Sequence, residues 1–327
     1  MRQAQPSFKN SEARSTSCIT REQSGGPPYE ADSLILEAAA GCTHHRCKFC
    51  TLYDELPFKF KVSELPTMES DLLEAQAWFH DPLSKIETRL FNLPMPKRCR
   101  VFLAGANPFV LKARRLLEIS DLIREYFPSC ETVGCFARVT DVASKTDEEL
   151  AVLREAGYTG LTIGIETGDD AALAFMNKGY AAQDIVAQCA RLDAAGIAYA
   201  FFYLAGISGK GHGIEGARLT AAVCNQTRPS LIGANMLTIY KNSELYQEVI
   251  AGNWEEETEI EKYQEIKALV DGLEIPVEFA MLGASNPVMM QGRLPEQRAQ
   301  IIAALDRVID EIGEDRLRHY RTNLKHL

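Results

Sequence analysis

The sequence predicts an α/β fold, a partial (β/α)6 TIM-like barrel of parallel strands with a short N-terminal arm and a small C-terminal α/β extension. Two observations carry this. Six short apolar runs alternate with longer stretches of helical periodicity, and the runs are apolar at successive positions rather than at every other one. Strands of that kind are buried on both faces, as in a parallel sheet covered by helices. Strand-then-helix units repeated in a row imply right-handed crossovers. Six units fall short of the eight of a closed barrel, so the sheet is read as open. A doubly wound sheet is the alternative, because pattern alone does not fix how a sheet curls.

In order along the chain, residues 1–32 are rich in Ser, Gln, Arg, Gly and Pro and end near Gly25-Gly26-Pro27-Pro28. Such a composition buries little apolar surface, so a flexible or loosely docked arm is expected. The six runs are Leu34–Ala39, Val101–Gly105, Thr132–Ala137, Leu161–Glu166, Ile197–Gly206 and Leu231–Ile239. Helical patterns cover 67–79, 110–127, 147–156, 182–195 and 212–226; in the second, Leu116, Ile119, Ile123 and Tyr126 share one face. Thr146 and Glu149 form a capping box, and Gly157 and Gly196 close their helices. The barrel is thus assigned to 33–242 and a mostly helical extension to 243–327. In the extension the acidic stretch Glu255–Glu261 leads a helix, Val277–Met281 is a short strand, and 295–312 is a terminal helix.

The chain has 327 residues, 46% of them hydrophobic, enough for a full core. Lys plus Arg is 35 against 45 Asp plus Glu, a formal charge of −10 that makes nucleic acid an unfavoured partner. No apolar run reaches the ~18 residues of a membrane span, and the N-terminus lacks the apolar segment of an export signal. Nine cysteines in such a chain point to a reducing compartment, so a soluble cytoplasmic protein is expected, with thiols serving metals or catalysis.

The strongest local signal is Gly41-Cys42-Thr43-His44-His45-Arg46-Cys47-Lys48-Phe49-Cys50, directly after the first strand. Active sites of parallel α/β barrels are built at that end. Three thiolates on one loop can wrap a soft metal or an iron–sulfur cluster, and three without a fourth suggest an open coordination position. A plain loop of reduced thiols and a structural Cys3His zinc site, with His44 or His45 as fourth ligand, are the competing readings.

With this loop the sequence resembles the radical S-adenosylmethionine (radical SAM) superfamily, whose signature is three cysteines after the first strand with an aromatic before the last, here Lys48-Phe49-Cys50. The resemblance runs from about residue 33 to 239. The usual gap between the first two cysteines is three residues, and here Thr43-His44-His45-Arg46 makes four. The pattern is closest to the branch of oxygen-independent coproporphyrinogen oxidases and tRNA methylthiotransferases. The resemblance implies that Cys42, Cys47 and Cys50 hold a [4Fe–4S] cluster and that the Phe49 main chain lies near the adenine of S-adenosylmethionine. Gly105-Ala106-Asn107 stands where the family receives the methionyl amino group, with an amide replacing the usual carboxylate. Ile163-Gly164-Ile165-Glu166-Thr167-Gly168 resembles the fourth-strand motif, with Glu166 toward ribose or ammonium groups. Lys178 stands where a basic residue meets the cofactor carboxylate. Gly206 and Gly209 suit close approach to adenosine, and Met236–Ile239 would supply apolar adenine contacts.

Each of these also has a plain structural reading, as a turn, a cap, a helix end or ordinary packing. Arg138, ending the third strand, is the candidate contact for an anionic substrate or intermediate. His44, His45 and Tyr53 flank the loop, and Met289-Met290 could close the mouth. Cys99, Cys130, Cys135, Cys189 and Cys224 are scattered, Cys135 and Cys189 reading as core thiols. The implied activity is reductive cleavage of S-adenosylmethionine followed by hydrogen abstraction from a small-molecule substrate. An electron donor such as flavodoxin or ferredoxin would supply the electron. A tRNA-modifying enzyme of the same superfamily and a non-catalytic zinc protein are the alternatives.

Overall fold

The computed structural model describes residues 27–83, 86, 90 and 97–324, so the expected arm lies outside them except for residues 27–32. Strand β1 (Ser33–Glu37) is followed by a short ribbon, β2 (Ala39–Gly41) and β3 (Phe60–Val62), and by helix α1 (Leu65–His80). Then come β4 (Lys97–Ala104), α2 (Ala113–Tyr126), β5 (Thr132–Ala137), α3 (Val139–Ala143), α4 (Asp147–Glu155), β6 (Tyr158–Glu166), α5 (Asp170–Phe175) and α6 (Ala182–Ala195). The chain continues through β7 (Ala198–Ala205), α7 (Gly213–Cys224), β8 (Leu231–Met236), α8 (Glu244–Ile250) and α9 (Glu259–Gly272). It ends in β9 (Val277–Met281), β10 (Met290–Leu294), α10 (Arg298–Arg307) and α11 (Glu314–Thr322).

One sheet runs β1-β4-β5-β6-β7-β8-β9-β10. Every neighbouring pair is parallel except β9 with β10. The mostly parallel open barrel expected from the sequence is therefore present, with strands in chain order. Two features differ from expectation. The extension supplies a seventh parallel strand and an antiparallel eighth, so it continues the sheet. The expected first strand breaks at Ala38, where the chain leaves the sheet and β2 pairs antiparallel with β3. The expected terminal helix over 295–312 is α10 with a wider turn to Ile312, and α11 follows it after Gly313.

Local chemistry explains the helices. Thr146 Oγ accepts from Glu149 N–H while Glu149 accepts from Thr146 N–H, and Thr258 and Glu261 repeat this at the start of α9. The acidic stretch before α9 is thus a helix start, as expected. One face of the sheet packs Leu34, Leu36, Leu103, Cys135, Ile163 and Phe201 against helical residues such as Leu116, Ile119 and Ile123, all buried. Each such side chain contributes roughly 1.5–3 kcal/mol on burial.

The other face lines the barrel interior. Phe102 and Phe136 meet edge to face at 5.0 Å, and Phe136 and Phe202 lie 6.2 Å apart. Residues 27–32 close the bottom of this interior. Tyr29 packs its ring edge-on to Phe202 and shares a 2.8 Å hydrogen bond with Thr162. Glu30, buried, pairs with Arg100 at the entry of β4 through two hydrogen bonds.

Candidate functional site

The cysteine loop is a closed excursion above the C-terminal ends of the strands. At its base Gly41 takes a left-handed φ of 81° beside the Lys59 carbonyl, where a Cβ would collide. Cys42 N–H then donates to Lys59 O at 3.0 Å, and Ser63 N–H to Ala38 O, so both arms of the loop are pinned. Farther out, Lys48 N–H donates to Met176 O, Leu245 N–H donates to Lys48 O, and Cys50 N–H returns to Cys47 O. Lys48 Nζ reaches Glu248 and lies 4.2 Å from the centre of the Phe175 ring.

Cys42, Cys47 and Cys50 are free and half-buried. Burial pushes the Cys50 thiol up to about 11 and raises Cys47, and the neighbouring thiols push Cys50 the same way. A bound metal reverses this, since a coordinating thiol is deprotonated outright. His44 Nε2 bonds to the Asn177 carbonyl and His45 Nε2 to Asp54 Oδ1, so both imidazoles are engaged elsewhere. Among the described residues no group of three or more Cys, His, Asp or Glu is gathered as a single-ion site. Three soft donors on a pinned loop, with no protein side chain committed as a fourth, fit a [4Fe–4S] cluster with one open position.

Asn107 is fully buried and ties this loop to the sheet. Its Nδ2 donates to Thr43 Oγ1 at 2.9 Å and to both oxygens of Asp141 at 3.1 Å, while Oδ1 accepts from Thr43 N–H. Asp141 also accepts from Arg138 N–H at 2.8 Å. Burial raises the Asp141 carboxyl, and these hydrogen bonds oppose the rise. Gly105 abuts Ala39, and Ala106 beside it is half-buried. Sequence reasoning missed Asp141; its position, three residues after Arg138 in the first turn of α3, is the signal that could have found it.

At the end of β6 the ladder slips between Gly164 and Glu166, and Glu166 adopts φ 62°. The bulge re-aims its carboxylate. Lys178 Nζ lies 3.0 Å from Glu166 Oε1 and 3.2 Å from Gly164 O. Burial opposes the Lys178 charge, yet Glu166, Tyr180 and Cys47 outweigh it and hold its pKa above the ordinary value. Tyr180, which sequence reasoning also missed, donates to Gly164 O at 2.8 Å. The Phe49 ring lies 5.8 Å from the same ammonium. Arg138 donates to Thr140 Oγ1 and to the Lys178 carbonyl, joining the end of β5 to this turn.

Phe49, Leu204, Ile239 and Trp254 pack on a small buried cluster of Met176, Ile207, Leu237 and Leu245. Leu237 and Ile239, from the expected apolar stretch Met236–Ile239, thus share this cluster with Phe49 of the cysteine loop. Gly206, with φ 92°, backs onto the Lys262 stem. Burial, followed by the charges of Cys50 and Cys42, pushes Tyr53 up to about 12. Met289 is exposed and Met290 starts β10 opposite Met281. Cys135 and Cys189 are buried, as are Cys130 and Cys224.

Residues 36–210, more than half of the chain, match the radical SAM superfamily. The chain belongs to that superfamily, whose members use a [4Fe–4S] cluster and S-adenosylmethionine. Its fold is similar to that of Elp3 from the archaeon Methanocaldococcus infernus (TM-score 0.51, 12% identity, 75% of this chain and 61% of that one). It is also similar to TsrM, a radical SAM methyltransferase from Kitasatospora setae solved with cobalamin and a [4Fe–4S] cluster (0.50, 17%, 73% and 42%). Coproporphyrinogen III oxidase from Escherichia coli, a radical SAM enzyme, matches at TM-score 0.44 and 16% identity over 72% of this chain and 54% of that one. The chain therefore spans between 42% and 61% of the length of these proteins. At such identities the likeness is one of fold and assigns no subfamily. No curated protein matches the chain in sequence.

Proposed function

We propose that this chain cleaves S-adenosylmethionine reductively at a cluster held by Cys42, Cys47 and Cys50 and abstracts hydrogen from a small-molecule substrate. The observation that carries the reading is the pinned loop of three free cysteines whose two imidazoles are bonded elsewhere, set against the Glu166–Lys178 pair. When bound, cluster and cofactor supply one-electron cleavage of a carbon–sulfur bond and abstraction of a hydrogen atom.

The chain's own groups bind and orient. Three cysteine ligands leave one position for the methionyl end of the cofactor. Glu166 and Lys178 offer opposite charges to its polar groups, and Gly105, Ala106 and Asn107 border the same end. The Phe49–Ile207–Leu237 cluster forms an apolar wall for adenine, and Gly206 allows close backbone approach. Arg138, at the end of β5, is the candidate contact for an anionic substrate or intermediate. Apolar residues around the loop exclude water from the reacting groups. An electron donor such as flavodoxin or ferredoxin and a cytoplasmic setting suit this chemistry. No helix among the described residues is long and apolar enough to cross a membrane.

The test is anaerobic reconstitution, iron and sulfide analysis, and incubation with S-adenosylmethionine and a strong reductant. The expected products are 5′-deoxyadenosine and methionine from the parent protein and none from Cys50→Ala. A fully loaded, reduced protein that yields no 5′-deoxyadenosine above that control overturns the proposal.

A further inference from the structure

The loop after β7, Gly206–Gly213, is gripped by the segment of the extension that carries Trp254 and Glu255. Trp254 Nε1 stands where a Cβ on Gly209 would come within 2.8 Å, and Lys210 N–H donates to Glu255 O at 2.9 Å. Ser208 Oγ donates to Asp169 at 2.9 Å. Beneath the loop lie two carboxyl groups, Glu257 and Glu265, 1% and 0% exposed. Glu265 accepts from Gly206 N–H at 2.6 Å and from Tyr203 Oη, and it is hydrogen-bonded to Glu257. Glu257 Oε2 is buried without a hydrogen-bond partner, while its Oε1 and Glu265 Oε2 crowd the same point beside Gly213. Gly213 opens α7 with both carboxyl groups against it, leaving no room for a Cβ.

Two buried carboxylates in contact cannot both carry charge, so one must keep a proton. A protonated Glu257 donates to Glu265, which then remains a carboxylate satisfied by three donors. We propose that Glu257 and Glu265 share one proton and act as a positioning pair that holds the Gly206–Gly213 loop for the adenosine half of S-adenosylmethionine. The proposal rests on the cofactor reading above.

The neighbouring charges act on the pair in opposite directions, Lys262 favouring its ionisation and Glu261 opposing it, with burial and the mutual carboxyl contact outweighing Lys262 at Glu257. Lys262, fully buried on α9, is paired with Glu256 at 2.6 Å and Glu259 at 3.4 Å. Arg321 on α11 pairs with Glu259 and donates to the carbonyls of Met236 and Leu237. Glu261 on α9 adds negative charge, Tyr203 faces the pair from β7, and Cys224 of α7 lies beside Tyr203. Burial, then the Glu265 charge, pushes Glu257 up to about 10. Its loss of the proton, and loosening of the loop, thus belong at alkaline pH.

Trp254 reports the loop directly, and Trp78→Phe removes the other tryptophan. In reconstituted protein of that background, Trp254 emission should shift with an alkaline midpoint, far above the ordinary carboxylate range, and stay flat in Glu257→Gln. The amide of Glu257→Gln donates as the protonated acid does, so it should bind S-adenosylmethionine like the parent. Glu257→Ala and Glu265→Ala should weaken binding about 10-fold or more with iron content unchanged. If Glu265→Ala fails to fold, Tyr203→Phe removes one donor to the same carboxylate and should weaken binding less. Equal affinity in all variants, equal loss in Glu257→Gln and Glu257→Ala, or the same alkaline shift with and without Glu257 overturns the pair. A parent protein that binds no S-adenosylmethionine defeats the cofactor reading instead, while the Trp254 titration still decides whether the proton is shared.

Discussion

Glu166 and Lys178 are bonded to each other at 3.0 Å, with side chains 15% and 5% exposed, so the two charges proposed for the cofactor's polar groups are one buried ion pair. Removing one partner of such a pair leaves an uncompensated charge, which costs about 3–5 kcal/mol, whereas replacing both together can be nearly neutral. Glu166→Gln and Lys178→Met should each lower stability by an amount toward that range. The double variant should recover much of it. Denaturant unfolding of the four proteins gives the coupling energy, and a value near zero would return the two residues to independent roles. Calorimetry on loaded protein should show each single variant binding S-adenosylmethionine about 10- to 150-fold more weakly, the loss of one charge-assisted hydrogen bond.

The cysteines divide by position. Replacing Cys42, Cys47 or Cys50 by Ala should abolish the cluster, while replacing Cys135 or Cys189, both buried among core side chains, should leave about four irons and four sulfides per chain. Colorimetric iron and sulfide analysis after anaerobic reconstitution separates the two groups. A cluster that survived the loop substitutions would place the ligands elsewhere.

Six strands were legible because each is largely buried on both faces, so Val133–Ala137 reads as an unbroken apolar run and Leu161–Ile165 as one interrupted only by Thr162 and Gly164. β10 was not, because Met290-Gln291-Gly292-Arg293-Leu294 alternates and has a glycine at its centre, a pattern that sequence alone gives to a turn. The β2–β3 ribbon rests on three residues a side and the turn at Gly41, too short for any period. Cysteine spacing showed the loop because its donors are local. The Glu166–Lys178 bond was hidden because no helical or strand rule links residues twelve apart. It depends on a bulge at Ile165 that turns the Glu166 carboxylate.

Asn107 extends the same lesson to a residue expected to receive the cofactor's amino group, whose amide is bonded to Thr43 and Asp141. Asn107→Ala should leave the buried Asp141 carboxylate with the Arg138 N–H but without its amide donor and free the first turn of the cysteine loop, costing about 1–3 kcal/mol. Asn107→Asp should be worse, since it sets two carboxylates side by side. The measurement is thermal unfolding together with iron retained after gel filtration. Retention equal to the parent in both variants would show that Asn107 does not hold the loop.

Arg100 reaches across the interior to the buried Glu30, and it does so over Gly134 and Gly160 of the neighbouring strands. A Cβ on Gly134 would lie 2.6 Å from the Arg100 guanidinium and 2.9 Å from the Phe102 ring. Gly134→Ala should therefore overpack this layer and cost about 1–3 kcal/mol. Gly160→Ala meets the same guanidinium at 3.4 Å, an ordinary contact, and should cost less. Glu30→Ala removes the charged partner and should cost about 1.5–3 kcal/mol. If Glu30 and Arg100 act together, the Gly134→Ala penalty should shrink in the Glu30→Ala background, because a guanidinium released from Glu30 can move away from the new methyl group. Strictly additive losses in denaturant unfolding would mean that the crowding comes from Phe102 alone.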